Sequence, residues 1–129
     1  MIREQLVEQL KRHEGFRSAP YRDSMGKLTF GYGFTYLHED EADMVLRMRI
    51  TRLEHILRRK IKYRSPARQN VLINMAFNLG VRGLYGFKKM WKAITRQDFD
   101  KAAYEMLNSK WKRQVGDRAQ ELAELMKKG

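Results

Sequence analysis

The sequence predicts an α+β fold that is predominantly helical, with a small N-terminal β-hairpin lobe joined by a long helix to a compact helical lobe. Helical periodicity opens the chain. It gives way from residue 16 to residue 36 to a run rich in aromatic residues, threonine and glycine, and it returns at residue 39. We therefore expect a single domain over residues 1–129, with the hairpin lobe at about 15–38, the inter-lobe helix at about 39–61 and the helical lobe at about 65–129 together with helix 2–14.

The first helix is predicted from an apolar residue at every fourth position. Ile2, Leu6 and Leu10 follow this spacing, which places them on one face of a helix. Gly15 then interrupts the pattern, as a glycine with a left-handed backbone does at a helix C-terminus. Glu14 is therefore expected at the end of an amphipathic helix over residues 2–14.

A β-hairpin is predicted by two short extended runs, Ala19–Arg22 and Lys27–Tyr32. Between them lies the sequence Ser24-Met25-Gly26, whose small residue and glycine are typical of a tight turn. Asp23 is expected at this turn and Thr29 on the second strand.

The long helix is predicted over residues 39–61 because three acidic residues open it and an apolar stripe runs along it. Ser65 as an N-cap and Pro66 at the first position begin the next helix, which Gly80 should end. That helix carries the most apolar segment and should be the central core helix. The stripe of the long helix consists of Ala42, Val45, Leu46, Leu53, Ile56, Leu57 and Ile61.

Shorter helices punctuated by glycine are expected after the central helix. One follows Gly86-Phe87, and another begins near Asp98. Ser109–Gln114 is expected to form a single turn, and Asp117 to cap a last helix.

Cysteine and histidine usage excludes several kinds of chemistry. The chain has no cysteine, so it can form neither a disulfide nor a thiolate nucleophile. His13, His38 and His55 have unrelated spacings, and we expect neither a metal site nor a cofactor. The N-terminus alternates charged and apolar residues, unlike a cleaved export signal, and no run reaches the ~18 apolar residues of a membrane span. We expect synthesis in a cytoplasm without an export signal.

The basic charge predicts a polyanionic partner. Lys and Arg number 27 against 15 Asp and Glu, which gives a net charge of +12. Nucleic acid, an acidic membrane and a cell-wall polymer would all be attracted to such a surface. A solvated surface on which long basic side chains cover apolar area explains part of the excess.

Two carboxylates and a hydroxyl form a candidate catalytic set. Glu14 ends a helix, Asp23 follows nine positions later in a turn, and Thr29 lies six residues further on. A carboxyl partly withdrawn from water keeps its proton and can act as a general acid. An ionised carboxylate and a hydroxyl can hold and activate a water. Spacing alone leaves a purely structural role open, since glutamate at helix ends and aspartate in turns are common.

The same stretch resembles a known family. "RHEGFRSAPYRDSMGKLTFGYG" carries Glu, eight residues, Asp, five residues, Thr and then Gly-x-Gly, which is the pattern of the phage-type lysozymes (endolysins, muramidases) of glycoside hydrolase family 24. "LHEDEADMVL" resembles that family's inter-lobe helix, and "VLINMAFNLGVRGLYGF" its central helix. "FDKAAYEMLNSKWKRQVGDRA" resembles its C-terminal part, so the resemblance covers essentially the whole chain and implies a lysozyme-like fold.

The resemblance implies a role for each matching residue. Glu14 matches the family's general acid, Asp23 its second carboxylate and Thr29 its hydroxyl. Phe77 and Asn78 match a phenylalanine and an amide that line the cleft. Arg118 matches an arginine that approaches the catalytic glutamate.

Some positions depart from the family pattern. The segment between Gly33 and Glu39 is much shorter than in T-even phage members, which implies a bare hairpin lobe. Phe34 stands where a histidine often follows the Gly-x-Gly. Thr35, Met90 and Glu105 occupy sugar-contact positions without matching the usual residues.

The resemblance implies a monomeric endolysin-type enzyme. It would hydrolyse, with inversion, the β-1,4 bond between N-acetylmuramic acid and N-acetylglucosamine in peptidoglycan, and cause host cell lysis. It would wait in the host cytoplasm until a separate holin gave it access to the periplasmic wall. The alternatives are a lysozyme domain carried on a phage particle, an inactive wall-binding relative and a basic nucleic-acid-binding helical module. Membrane disruption by the helix "RAQELAELMKKG" is at most an accessory activity.

Overall fold

The computed structural model describes residues 3–129, over which the fold is α+β and predominantly helical, as predicted. A two-stranded antiparallel sheet near the N-terminus is followed by helices. Ile2, with which the first predicted helix began, lies outside the described residues. The elements are α1 (Glu4–Glu14), β1 (Arg17–Arg22), β2 (Leu28–Gly31), α2 (Glu39–Ile61), α3 (Pro66–Tyr85), α4 (Lys88–Thr95), α5 (Phe99–Leu107), α6 (Lys110–Val115) and α7 (Asp117–Lys128).

The chain divides into two compact units, Met1–Val45 and Leu46–Gly129, and α2 begins in the first and continues in the second. The first unit contains α1 and the hairpin. Leu6 and Leu10 on the apolar stripe of α1 remain 43% and 47% exposed. Thr29 is buried, and no other residue described between positions 3 and 45 is.

The hairpin differs from the prediction at its ends and in its register. β1 begins two residues earlier than predicted, at Arg17, and β2 is one residue shorter at each end. Tyr21 pairs with Thr29, whereas Arg17 pairs with Gly31, so β1 carries extra residues between these two pairs. Pro20 lies in this irregular stretch, where its missing N–H does no harm because regular pairing is already interrupted.

The second unit holds the hydrophobic core. α3 begins as predicted, because the Ser65 side chain accepts a hydrogen bond from the Arg68 N–H at 3.2 Å and Pro66 follows. α3 supplies the most core residues, which confirms it as the central helix. The buried apolar residues are Leu57, Ile61, Val71, Leu72, Ile73, Met75, Ala76, Leu84, Met90, Ala93, Ile94, Ala102, Ala103, Met106, Trp111, Ala119, Leu122, Ala123 and Met126.

Gly80 breaks the central helix without ending it. Its φ of 79° and ψ of 160° are not helical, but a further helical turn continues to Tyr85. Only glycine adopts such a φ readily, so the glycine was a correct signal of a break. The turn after it was not predicted.

The later helices confirm two predicted starts and correct two details. α4 begins at Lys88, directly after Gly86-Phe87. The Asp98 side chain caps α5 by accepting from the Lys101 N–H at 3.1 Å. α6 spans six residues rather than one turn, and the Ser109 side chain caps it. Asp117 does not cap α7: it is the first helical residue, and Gly116, with a φ of 59°, precedes it. The glycine turns the chain so sharply that the helix starts directly after it.

Arg68 links the start of α3 to the end of α7. Its Nε donates to the carbonyl oxygen of Met126 at 2.7 Å, and its Nη2 donates to that of Lys127 at 3.1 Å. Its guanidinium carbon lies 3.4 Å from the centroid of the Phe99 ring. One planar side chain thus satisfies carbonyls at the end of α7, where helical partners run out, and also contacts α5.

We predict that Arg68→Lys lowers the free energy of unfolding by about 1–3 kcal/mol, because lysine cannot reproduce two hydrogen bonds and planar stacking together. Urea unfolding measures the change. Arg82→Lys is the matched control, since Arg82 is an exposed arginine on the same helix. Equal losses in the two variants would contradict the role given to Arg68.

Candidate active site

Glu14 is the last residue of α1 and lies against Gly33. The Gly15 N–H closes the helix on the Lys11 carbonyl at 2.9 Å, and the φ of Gly15 is 68°. A Cβ placed on Gly33 would come 2.8 Å from the Cδ of Glu14, and closer still to its Oε2. Glu14 itself is exposed, although we expected partial withdrawal from water. The backbone of Gly33 therefore packs against this carboxylate where a side chain would displace it.

Two aromatic contacts bring the same turn to the end of α1. The centroid of the Tyr32 ring lies 5.5 Å from the centroid of the Phe16 ring. It lies 5.7 Å from the Lys11 Nζ. Tyr32 precedes Gly33, so these contacts and the close approach to Glu14 act at one place. They fix the end of α1 relative to the segment that leaves β2.

Asp23 organises the hairpin turn with one carboxylate oxygen. Its Oδ1 accepts from the backbone N–H of Met25 and from that of Lys27, both at 2.9 Å. Its own N–H donates to the Lys27 carbonyl at 2.9 Å. Asp23 is half-buried, and no hydrogen bond within the described chain uses its Oδ2. The turn thus holds the carboxylate in place and leaves one oxygen available.

Thr29 presents a buried hydroxyl without a partner. The residue is 5% exposed, and its Oγ1 has no hydrogen bond to any atom of residues 3–129. Leaving a buried hydroxyl unpaired costs about 1–3 kcal/mol, so this hydroxyl lowers the free energy of unfolding. Such a cost is typical of a residue kept for a ligand or a water.

Asp23 and Thr29 lie at neighbouring positions of the hairpin. Tyr21 pairs with Thr29, Arg22 with Leu28, and the Asp23 N–H bonds to Lys27. Asp23 therefore lies directly after β1, one pair beyond Arg22–Leu28, and is related diagonally to Thr29. The Cα atoms of residues in that relation are about 7–8 Å apart.

The segment after β2 folds back on the strand. Phe30 and Phe34 exchange two backbone hydrogen bonds of 2.9 Å, and their ring centroids are 5.9 Å apart. The Phe34 ring lies against Gly31, where a Cβ would come 2.7 Å from the ring. Phe34 therefore has a structural role. Thr35 follows it and is exposed.

In the second unit, Phe77 and Arg118 line one cavity. Phe77 is 44% exposed. Arg118 donates from Nε and Nη2 to the Asn74 Oδ1, at 3.1 and 2.7 Å. The cavity has a volume of about 340 Å³ and is lined by Leu46, Ile50, Glu54, Asn70, Ile73, Asn74, Phe77 and Arg118.

Met90 and Glu105 line another cavity of the second unit, with a volume of about 560 Å³. Met90 is fully buried, and Glu105 is 9% exposed and pairs with Lys101 at 3.2 Å. Trp111 lines this cavity too, and its indole N–H donates to the Asn78 Oδ1 at 2.8 Å. Asn78 is thus oriented by the wall of the cavity that contains Met90 and Glu105.

The predicted residues therefore fall into separate groups. Glu14, Asp23, Thr29 and Thr35 belong to the first unit, and Phe77, Asn78, Met90, Glu105 and Arg118 belong to the second. The first three share one helix end and one hairpin. The approach of Arg118 to Glu14 and the sugar contacts stay predictions.

Sequence reasoning missed Asn74, Trp111 and the packing role of Gly33. Asn74 lies one helical turn before Asn78 on α3, so an amide at that spacing from a predicted cleft residue was a usable signal. Gly33 stood in the Gly-x-Gly pattern, but its contact with Glu14 depends on how α1 and the hairpin pack. Trp111 carried no signal of its own.

Residues 3–129 contain no group of three or more His, Cys, Asp or Glu side chains arranged to hold a metal ion. None of the helices in this range is both long and apolar enough to cross a bilayer.

Comparison with known proteins identifies the family. A family model described as phage lysozyme matches residues 11–128. The chain belongs to the phage lysozyme family. It is also 34% identical over 62 residues to a protein of Dictyostelium discoideum named "Probable T4-type lysozyme 1". That match covers 48% of this chain and 36% of the length of the relative.

The contact between Gly33 and Glu14 can be tested by replacing Gly33, with Gly26 as the control position. Gly33→Ala and Gly26→Ala both place a side chain at a positive φ, 75° and 81°, which costs about 1–2 kcal/mol. Only at position 33 does the new Cβ meet an obstacle, since nothing lies within 4 Å of a Cβ at position 26. We expect Gly33→Ala to lower the free energy of unfolding further and to shift the carboxyl ¹³C resonance of Glu14. Equal destabilisation with an unmoved resonance would refute this packing.

Proposed function

We propose that the protein is an endolysin-type lysozyme that hydrolyses the β-1,4 bond between N-acetylmuramic acid and N-acetylglucosamine in bacterial peptidoglycan, with inversion at the anomeric carbon. The observation that carries the proposal is that one hairpin holds both Asp23, with one carboxylate oxygen unused, and Thr29, with an unpaired buried hydroxyl. Membership of the phage lysozyme family supports the reaction class.

Glu14 acts as the general acid. Its proton passes to the glycosidic oxygen as the bond from that oxygen to the anomeric carbon breaks, so the leaving sugar departs as an alcohol. The contact with Gly33 limits where the carboxyl can lie, which keeps the acid in one position before substrate arrives. Such positioning lowers the barrier because little reorganisation remains at the moment of reaction.

Asp23 and Thr29 activate the water. The free Oδ2 of Asp23 accepts one proton of the water, and the Thr29 hydroxyl orients the water oxygen toward the anomeric carbon. The oxygen attacks from the face opposite Glu14, forms the new bond to carbon and loses its proton to Asp23. Room for a water requires the two carboxyl groups to lie about 6.5–9.5 Å apart.

The second unit supplies the sugar contacts in this proposal. Phe77 offers an exposed aromatic ring at the edge of a cavity, and Asn78 an amide held by Trp111. Met90 and Glu105 shape the other cavity and Thr35 contributes from the first unit, so that these residues set the preference for wall variants.

The proposed biological setting is host lysis. The enzyme acts as a monomer on the periplasmic wall after a separate holin releases it from the host cytoplasm. Carriage on a phage particle is the alternative setting for the same reaction. The net charge of +12 supports attraction to an anionic wall polymer.

Thr29→Val separates function from stability. Removing an unpaired buried hydroxyl should leave the free energy of unfolding unchanged or raise it by up to about 2 kcal/mol, while clearing of a purified wall suspension falls at least tenfold. Thr95→Val is the control: the Thr95 hydroxyl donates to the Trp91 carbonyl at 2.9 Å, and its loss should not stabilise the protein or slow clearing. A stabilised variant with full activity would refute the water-orienting role of Thr29.

The configuration of the first-formed product tests the mechanism. NMR of freshly cleaved wall oligosaccharide should show inversion at the new reducing end. Glu14→Gln keeps the volume of the side chain but has no proton to give, so it should lower turnover by about 10²–10⁴-fold and set the background. A product of retained configuration would make Asp23 a nucleophile and overturn the proposed mechanism.

A further inference from the structure

One exposed surface of the second unit has no catalytic role in the proposed reaction, although Arg49, Arg52 and Ile56 on it line a cavity of about 250 Å³ together with Phe77. Leu57 and Ile61 of α2 are buried, and Ile50 and Leu53 pack against the same core. The opposite side of the helix, called here the outer face of α2, is exposed to solvent. It consists of Met48, Arg49, Arg52, His55 and Ile56.

The outer face of α2 lies in the most basic part of the chain. Eight basic residues and one acidic residue occur between positions 46 and 64. The last turn of α2 carries three basic residues, Arg58, Arg59 and Lys60. They stabilise the helix by interacting with the negative end of its dipole, so helix stability explains their presence. Arg49 and Arg52 lie in the middle of the helix and form no hydrogen bond or ion pair with any described residue. Their charge is free for an external partner.

Apolar side chains lie among these charges. Met48 is 59% exposed and Ile56 is 48% exposed, and Tyr63, just beyond the helix, is 82% exposed. Met48 and Arg52 line a surface depression together with Arg47, Thr51 and His55. Exposed apolar side chains and arginines without a partner therefore lie side by side on this helix.

We infer that the outer face of α2 binds the surface of an anionic phospholipid bilayer, with the helix parallel to the membrane. Arginine side chains reach phospholipid phosphates, while methionine and isoleucine enter the boundary between headgroups and acyl chains. Nucleic acid would use the charge but offers no hydrocarbon to exposed apolar side chains. The mixture of both therefore favours a lipid surface over another polyanion.

The inference is tested by co-sedimentation with vesicles, which contain no cell wall. The intact protein should bind vesicles of phosphatidylglycerol and phosphatidylethanolamine and not vesicles of phosphatidylcholine. Because each basic residue near an anionic surface contributes about fivefold, Arg49→Gln/Arg52→Gln should weaken binding about thirtyfold. Met48→Ser/Ile56→Ser, which leaves the charge unchanged, should weaken it about tenfold.

Matched controls separate this face from net charge and from catalysis. Lys92→Gln/Arg113→Gln removes the same charge from exposed positions on α4 and α6 and should weaken binding less than threefold. Glu14→Gln should bind vesicles as the unmodified protein does, whatever its hydrolytic activity. Equal effects of the two charge variants would overturn the inference. Full vesicle binding by Met48→Ser/Ile56→Ser would also overturn it. So would a protein that binds duplex DNA more tightly than vesicles, if Met48→Ser/Ile56→Ser binds the DNA equally well. Either outcome would mean that the surface attracts any polyanion.

Discussion

The close approach of Gly33 to the Glu14 carboxylate is the constraint on which the candidate site depends. It requires a residue without a side chain at a positive φ, at the point where the chain leaves β2. The Phe16 and Lys11 contacts of Tyr32 act at the same turn. Together they attach the end of α1 to the hairpin that carries Asp23 and Thr29. The three residues proposed for catalysis thus belong to one local structure.

That local structure holds its shape with little burial. Thr29 is the one buried residue described between positions 3 and 45, and α1 buries none. Hydrogen bonds stabilise it instead: two backbone N–H groups donate to Asp23, and Phe30 pairs with Phe34. In the second unit, apolar packing has this role. Asp23 is therefore both a structural and a candidate catalytic residue, which means that its replacement by alanine would confuse loss of the turn with loss of the base.

Sequence patterns predicted those parts of the fold that depend on neighbouring residues. Ser65 was predicted as a cap and a helix start was predicted near Asp98, because a cap needs only its own side chain and an N–H three residues later. The position of Asp117 was wrong because Gly116 changes the chain direction, and a glycine does not reveal its φ and ψ from sequence. The extra residues of β1 around Pro20 were missed because register depends on the partner strand.

The same division holds for the candidate site. The spacing of Glu14, Asp23 and Thr29 correctly placed them at a helix end, in a turn and on a strand, since each location follows from local patterns. Nothing local shows that Asp23 uses only one oxygen in the turn or that the Thr29 hydroxyl is unpaired. These facts depend on hydrogen-bond geometry across the hairpin. They are also the facts that distinguish a water-activating pair from two ordinary surface residues.

Burial of one side of α2 is enough to stabilise the helix, so the residues on its outer face are not constrained by the core. Arg49 and Arg52 are one turn apart, and such like-charge pairs destabilise a helix by about 0.2–0.5 kcal/mol. Full burial of a leucine or an isoleucine stabilises by about 1.5–3 kcal/mol, and α2 buries Leu57 and Ile61. The inward side therefore outweighs the repulsion several times over. Because the fold tolerates the basic outer face without needing it, stability does not explain why arginines rather than neutral polar residues occupy it.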